Sequence, residues 1–175
     1  SSIRMQRPVA SAWIRTAKRI GSGPSVYSPD GNHLSAYALA AGSLAFAKVF
    51  EKLTAGEKQI GVLIPPSGPG IIVNMACLIR GKTVYNLNYT NTPETMDYCC
   101  SVADVKTIII HNNVTKIYKN TLWYCYELEK IIYRGTKAEW NAISKDGGWD
   151  WEIYGVTVEC TDGDFDSGIL EIGPG

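Results

Sequence analysis

Apolar positions in the first two thirds of the chain switch between a helical period and short continuous runs. Leu39, Phe46, Phe50 and Leu53 recur at spacings of seven, four and three residues, which is typical of one face of an amphipathic helix. Ser35 is a suitable N-cap for this helix, and Gly56 lies just beyond its end. The pattern therefore predicts a helix between Ser35 and Gly56.

Short apolar runs bounded by proline and glycine follow this helix. They predict a strand, a helix, a strand, a helix and a strand, in that order. Such an alternation favours an α/β fold with a partial parallel sheet that has helices on both faces and right-handed crossovers. The five segments are QIGVLIPPSGPG (strand ended by its prolines), IIVNMACLIRG (helix ended by Gly81), KTVYNLNY (strand), Thr92 to about Ala103 (helix) and VKTIIIH (strand).

Ligands of parallel sheets collect beyond the carboxyl ends of the strands. Those ends correspond here to residues 65–70, 88–91 and 111–113. The glycine-rich stretch 66–70 precedes a helix and is either a phosphate site or a simple strand-to-helix connection. The connection is favoured, since prolines remove backbone donors and neither common phosphate-binding motif is matched. His111 is either a general base or a surface histidine, and the surface interpretation is favoured because no partner carboxylate is identifiable.

The apolar pattern changes after residue 112. Successive apolar residues are now three, five, three, three and three positions apart. This spacing fits neither a long helix nor an alternating strand, but it is typical of short repeat units that stack on one another, which we call a repeat ladder. Aromatic residues increase in the same region, because residues 118–154 hold nine of the eighteen Trp, Tyr and Phe. The ladder positions are Val114, Ile117, Leu122, Cys125, Leu128 and Ile131.

Three tryptophans follow within the stretch IIYRGTKAEWNAISKDGGWDW, residues 131–151. Thr136 and Glu139 have the spacing of a capping box before a short helix, which would put Trp140 and Ile143 on one face. These rings either close the end of a small core or form a platform for a sugar or a protein partner. The core interpretation is favoured, and the platform interpretation stays open.

The acidic end of the chain has the beginning of a calcium-loop pattern, with Asp162, Asp164 and Asp166 at alternate positions. Positions six and twelve are Ser167 and Gly173, where such a loop needs Gly and a bidentate Glu. A solvated acidic tail is therefore favoured over a calcium site.

Charge divides the chain near the same place as the apolar pattern. Residues 1–110 carry 11 Lys and Arg against 6 Asp and Glu, whereas residues 111–175 carry 6 against 11. The total cancels to zero, so net charge gives no argument for nucleic acid as a partner. We predict an N-terminal extension with a short helix (1–24), an α/β subdomain (25–111), a separately packed terminal segment (112–164) and a flexible tail (165–175).

Five cysteines without regular spacing, and no secretory pattern at the start, favour reduced thiols in a cytoplasmic protein. The adjacent pair Cys99-Cys100 is interpreted as packing rather than as a redox site. The longest apolar run, Ile71 to Ile79, is too short for a membrane span, and no transmembrane segment is predicted.

Residues from about 9 to 110 resemble the N-terminal part of AMP-forming acyl ligases. The stretch IGVLIPPSGPGIIVNMACLIRGKTVYNLNYTNTPETMDYCCSVADVKTII carries the likeness, most specifically GKTVYNLNYT and the later VKTIII. Within these ligases, the chain is most similar to the acyl-acyl carrier protein synthetase part of 2-acylglycerophosphoethanolamine acyltransferases. The resemblance implies activation of a fatty acid as an acyl-adenylate from ATP with magnesium, with fatty acid or acyl carrier protein as partner. It also implies a cytoplasmic location that is peripheral to a membrane.

The resemblance to this family extends to its strands and helices but not to its catalytic residues. After Ile110 there is no counterpart of its phosphate loop ending in Pro-Lys, of its aromatic-Thr-Glu motif, or of its ribose-binding Asp and catalytic Lys. We therefore assign no catalytic, cofactor-binding or metal-binding residue, and we expect no cofactor for this chain by itself.

Residues from about 112 to 164 resemble the terminal units of BspA-type leucine-rich-repeat proteins of bacteria, most specifically in YRGTKAEWNAIS and CTDG. The two resemblances together predict a catalytically incomplete ligase fragment fused to a small α+β leucine-rich-repeat cap. Two alternatives stay open. One is an acyl-adenylating ligase or acyltransferase component completed by a partner, and the other is a repeat module that binds protein or glycan.

Overall fold

The computed structural model describes residues 9–28, 31–87, 104–119, 121–122, 125–149 and 155–165. The chain forms two compact units. The first consists of residues 1–56 and 66–82, and the second of residues 57–65 and 83–175. The helix predicted from Thr92 to Ala103 and the pair Cys99-Cys100 lie outside the described residues.

The described part of the first unit contains three helices and a small hairpin. Ser35 caps the second helix as predicted, since its hydroxyl oxygen accepts the Ala38 N–H at 3.1 Å. The third helix begins at Gly68, three residues earlier than expected, because Ser67 caps it and Pro69 lies in its first turn. The elements are α1 Val9–Ile20, β1 Pro24–Tyr27, β2 His33–Ser35, α2 Ala36–Leu53 and α3 Gly68–Ile79.

Small residues let the helices of the first unit approach closely. A Cβ added to Gly42 of α2 would lie 3.0 Å from the Ile72 side chain of α3. At Gly68 an added Cβ would lie 2.4 Å from a terminal methyl of Leu34, so a larger residue there would require the Leu34 side chain to move. Helix α1 packs on α2 through Ala17, which is buried with the small residues Ala36 and Ala40.

The second unit is built around a six-stranded sheet in the order β10-β9-β7-β5-β3-β4. Every neighbouring pair is parallel except β9 and β10, which form an antiparallel hairpin at one edge. This confirms the predicted α/β class with a largely parallel sheet. The strands are β3 Gln59–Leu63, β4 Thr83–Asn86, β5 Thr107–His111, β7 Lys130–Arg134, β9 Thr157–Cys160 and β10 Gly163–Phe165.

The central strands are apolar on both faces, as expected for interior strands of a parallel sheet. In β5, Ile108, Ile109 and Ile110 are all fully buried. The register aligns Ile109 with Val62 of β3 on one side and with Ile132 of β7 on the other. One face of the sheet contributes to a continuous core with the loops that follow β5 and β7. Core residues on this face are Leu63, Ile108, Ile110, Ile131, Tyr133 and Val158.

A second parallel pair lies beside the main sheet in the second unit. It consists of β6 Lys116–Ile117 and β8 Ser144–Lys145, and a short helix α4 Lys137–Ala142 precedes β8. Lys116 aligns with Ser144, 28 residues later in the chain, and Lys130 of β7 aligns with Thr157 of β9, 27 residues later. The chain thus makes two successive coils. The first contributes β6 and β7, and the second contributes their parallel partners β8 and β9.

The predicted separation of residues 25–111 from residues 114–160 is wrong. Strand β7 is the parallel neighbour of β5 over five aligned residue pairs, so one sheet continues through Cys160. The physical reason is the pair Ile131-Ile132, which makes β7 apolar on both faces and fits it to the buried edge of β5. The change in composition near residue 112 is therefore not a boundary in the fold.

Candidate functional site

A cleft of about 140 Å³ lies at the carboxyl ends of β3 and β5. Leu63 and Pro65 line it from the end of β3, and Asn113 begins the wall that follows β5. This is the edge at which parallel sheets bind their ligands, and the cleft combines two of the three loops predicted from the sequence. The third, residues 88–91, lies outside the described residues. The remaining lining residues are Val114, Thr115, Lys116 and Tyr118.

Lys116 is the charged group of this cleft. Its Nζ lies 3.2 Å from Asp146 Oδ1 and 4.6 Å from the centre of the Tyr118 ring. The second oxygen of Asp146 accepts the backbone N–H of Lys119 at 3.3 Å, which fixes the carboxylate. The ion pair is about two-fifths exposed, so its contribution to stability is small, about 0–1 kcal/mol. The cleft therefore combines an oriented cation with the apolar lining residues Leu63, Pro65 and Val114.

The residues after β5 were only partly anticipated from the sequence. Asn113 was expected at this edge, whereas no role was predicted for Lys116 or Tyr118. The signal that was available is a charged and an aromatic residue at alternate positions directly after a buried strand.

His111 lies at the end of β5, half-buried and aligned with Arg134 of β7. Its Nδ1 accepts the Asn113 N–H at 3.2 Å. Burial lowers the pKa of the imidazole, and the nearby Arg134 charge lowers it further. The ring is therefore neutral at pH 7, and a cation rather than a carboxylate is its charged neighbour. Among the described residues, the hydrogen-bond partner and charged neighbour found for this ring are Asn113 and Arg134, so no carboxylate is seen to orient it as a general base.

The glycine-rich stretch 66–70 is the N-terminal cap of α3. The Ser67 hydroxyl oxygen accepts the Gly70 N–H at 3.2 Å, and the Ser67 carbonyl accepts the Ile71 N–H at 3.1 Å. Pro69 has no N–H to offer. Because these first-turn donors are used within the cap, the geometry favours the connection over a phosphate cradle.

Two tryptophans of the second unit, Trp140 and Trp149, are core residues. Trp140 is 4% exposed and Trp149 is 9% exposed. The Trp140 ring meets Tyr133 edge-on at 5.2 Å between centroids and Trp149 at 5.9 Å. Lys145 closes the cluster, since its Nζ donates to the Trp140 carbonyl at 2.6 Å and lies 4.7 Å from that ring's centre. Rings buried in this way cannot serve as a binding platform, and Trp151 lies outside the described residues.

The capping box predicted before this cluster is confirmed. The Thr136 hydroxyl oxygen accepts the Glu139 N–H at 3.2 Å, and Glu139 Oε2 accepts the Thr136 N–H at 2.7 Å. This bond to the Thr136 N–H lowers the pKa of the Glu139 carboxyl. The box fixes the start of α4, so that Trp140 enters the core.

The acidic stretch after Cys160 is partly structured. Asp162 accepts the backbone N–H of Lys137 at the start of α4, at 2.9 Å, and Asp164 belongs to strand β10. The tail interpretation is thus wrong for these two residues, because they belong to the hairpin that ends the sheet. Among the described residues no group of three or more His, Cys, Asp or Glu could hold a metal ion. Asp166 lies outside them.

The described cysteines Cys77, Cys125 and Cys160 are free thiols. Burial raises the pKa of Cys77 to about 12 and that of Cys160 to about 11. Both thiols therefore remain protonated at neutral pH, where they are poor nucleophiles. This agrees with cysteines that act as small apolar residues.

Comparison with protein-family models and with curated proteins finds no match to this chain. Solved structures do match. A luciferase-like enzyme from the mealworm Zophobas morio superposes with a TM-score of 0.62, at 12% identity over 83% of this chain and 35% of its own. The anthranilate CoA ligase AuaEII, in complex with anthranoyl-AMP, gives 0.57 at 12% identity over 71% and 24%. The N-terminal subdomain of Klebsiella oxytoca NpsA gives 0.54 at 16% identity over 59% and 26%.

The fold resembles the N-terminal region of AMP-forming ligases. At these identities the likeness concerns the fold alone, and the chain spans about a quarter to a third of the length of these structures. No helix among the described residues is long and apolar enough to cross a membrane.

Proposed function

We propose that this chain is a ligase-type α/β scaffold whose sheet is completed by two coils of a leucine-rich-repeat type, and that it needs a partner to take part in acyl-adenylate chemistry. The observation that carries the proposal is the parallel pairing of β5 with β7. It joins the segment that resembles a ligase to the segment that resembles a repeat protein.

The spacing of the second segment supports its repeat origin. Aligned residues in the two parallel pairs are 28 and 27 residues apart, within the period of about 20–29 residues that leucine-rich repeats have. Two coils are fewer than the roughly three that a free-standing solenoid needs. In this chain the strands of the two coils have β5 as a neighbour on one side. On the other side β10 pairs with β9 and forms the edge of the sheet.

The cleft at the carboxyl ends supports binding better than adenylation. Transfer of an adenylyl group needs fixed donors where charge develops on the phosphate, and these donors provide most of the rate enhancement. The described cleft contributes one lysine that is already paired with Asp146. At the start of α3, the N–H groups of Gly70 and Ile71 already donate to Ser67. A partner protein would therefore have to supply the phosphate-binding groups, with ATP and magnesium.

The repeat segment as an independent binding module is the weaker candidate. It relied on exposed tryptophans, and Trp140 and Trp149 are buried. Strand β7 would also lose one of its two neighbouring strands, β5, if the segment stood alone.

The test is acid-dependent ATP–pyrophosphate exchange by the purified chain with magnesium. The acids are a panel of fatty acids together with anthranilate and 3-hydroxybenzoate, which correspond to the acyl groups of anthranoyl-AMP and 3-hydroxybenzoyl-AMSN in the similar structures. We expect no exchange above the acid-free background from a chain that is folded by circular dichroism. Clear acid-dependent exchange would overturn the proposal, and a Lys116→Met variant would then show whether the cleft is responsible.

A further inference from the structure

Charge and exposed apolar side chains are concentrated in the first unit. Its residues, 1–56 and 66–82, carry nine Lys and Arg against two Asp and Glu, whereas the second unit carries eight against fifteen. Nine large apolar side chains are exposed among the described residues, and seven of them belong to the first unit. These seven are Val9, Ile20, Tyr27, Tyr37, Leu44, Val49 and Leu78.

Helix α2 arranges part of this set in a line along its exposed side. Tyr37, Ala41, Leu44, Lys48 and Lys52 follow one another at intervals of four, three, four and four residues, so they form one stripe on the helix. All five are exposed, including 54% of Tyr37 and 44% of Leu44. We call these five residues the α2 stripe. Its first part is apolar, and its last part is cationic.

The end of helix α1 extends the stripe at its apolar end. The Tyr37 N–H donates to the Gly21 carbonyl at 3.1 Å, which brings the last turn of α1 beside Tyr37. That turn carries Lys18, Arg19 and Ile20, of which Ile20 is 48% exposed. The apolar residues of the surface are therefore flanked by cations at both ends. No ion pair within 4.0 Å among the described residues involves Lys18, Arg19, Lys48 or Lys52.

We propose that the α2 stripe, with the last turn of α1, docks on an anionic phospholipid bilayer. Lysines and arginines around exposed Tyr, Leu and Ile are the composition of helices that lie in the membrane interface. Their long aliphatic stems let the charges reach the headgroups while the apolar residues enter the acyl boundary. The net charge of the first unit is complementary to a surface of anionic lipids.

Two other occupants fit this surface less well. Protein–protein interfaces are depleted in Lys and Ala, which make up three of the five stripe residues. Proteins that bind nucleic acid without sequence preference combine cations with aromatic rings that stack on bases. Leu44 and Ile20 cannot stack in this way, whereas aliphatic side chains contribute directly to burial in lipid.

Binding of this kind is reversible and depends on salt. Each cation near an anionic surface increases the partition coefficient about fivefold, an effect that fades beyond a Debye length. Reversing the charges of Lys48 and Lys52 by substitution with glutamate should therefore weaken binding by roughly 25-fold or more. The full chain should bind anionic vesicles at low salt and dissociate as the salt concentration rises.

The test is sedimentation of the full chain with vesicles of phosphatidylcholine alone or of phosphatidylcholine mixed with phosphatidylglycerol. We expect binding only to the mixed vesicles, lost in the Lys48→Glu/Lys52→Glu variant and reduced in the Tyr37→Ser/Leu44→Ser variant. The matched control is Lys119→Glu/Tyr126→Ser, which changes exposed residues of the second unit and should bind like the unchanged chain.

Three outcomes would overturn the proposal. The first is equal binding to both kinds of vesicle, and the second is no binding to the mixed vesicles at low salt. The third is an equal loss of binding in the stripe and control variants while circular dichroism shows that both are folded. A labelled single-stranded oligonucleotide provides a further comparison, because binding to it without binding to vesicles would assign the surface to nucleic acid instead.

Discussion

Replacement of Trp140 by alanine distinguishes a core tryptophan from a binding platform. The ring is 4% exposed and lies between Tyr133 and Trp149, with Lys145 against its face. An aromatic side chain buries about 150–250 Å², which at about 25 cal/mol per Å² corresponds to roughly 4–6 kcal/mol. Residual structure in the unfolded chain reduces this figure by about 10–40%. We therefore expect Trp140→Ala to lower the free energy of unfolding by about 3–5 kcal/mol.

The measurement is urea unfolding followed by circular dichroism, since removing a tryptophan also changes the fluorescence baseline. A Trp140→Phe variant should lose less, because it keeps one ring against Tyr133 and Trp149. Tyr126→Ala is the control, since this side chain is 58% exposed, and it should change the free energy of unfolding by less than about 0.5 kcal/mol. A loss below about 1 kcal/mol for Trp140→Ala would refute the assignment of the ring to the core.

Three further predictions follow from particular contacts. Thr136→Ala removes the hydroxyl that caps α4 and should cost about 0.5–2 kcal/mol in urea unfolding; an unchanged midpoint would contradict the capping role. Gly61→Ala adds a Cβ 2.8 Å from the Ile108 side chain in β5 and should destabilise the sheet by about 1–3 kcal/mol, so that equal or greater stability would show that the strands can shift. The lowered pKa of His111 makes the unfolded chain bind a proton more readily, so stability should fall as the pH drops below the ordinary value of 6.5; a titration of this imidazole by NMR with its midpoint above 6.5 would contradict the burial.

The elements that follow simple local rules were predictable from the sequence. Ser35 and the spacing of Leu39, Phe46 and Phe50 located α2, and the prolines after Leu63 located the end of β3. The Thr136–Glu139 capping box depends on residues three apart in sequence. In each case the deciding interactions are local, so a short window of sequence contains them.

The pairing of β7 with β5 was not predictable in the same way. Composition, charge and resemblance all change near residue 112, yet the sheet continues across this point. Ile109 and its register partner Ile132 lie 23 positions apart in the chain, and no local rule states which buried edge a strand will join. The two adjacent isoleucines in β7 were the available signal, because they indicate a strand buried on both faces.

For a related reason, the sequence predicted the position of the cleft but not its charged group. The rule for parallel strands identified the correct edge of the sheet, with Pro65 and Asn113. The charged group that the cleft contains, Lys116, is oriented by Asp146, thirty positions away in sequence. That partnership depends on the second coil returning to the first, which the spacing of apolar residues suggested only in general terms.

The central claim is that one sheet runs from the ligase-like layer into the two coils, and methyl NMR tests it most directly. With the isoleucine methyls of the full chain labelled, we predict a contact between Ile109 and Ile132, which are register partners across β5 and β7. The amides of residues 130–134 should also exchange as slowly as those of residues 107–111. Absence of the Ile109–Ile132 contact in a folded chain, with residues 130–134 exchanging faster and independently, would contradict the account.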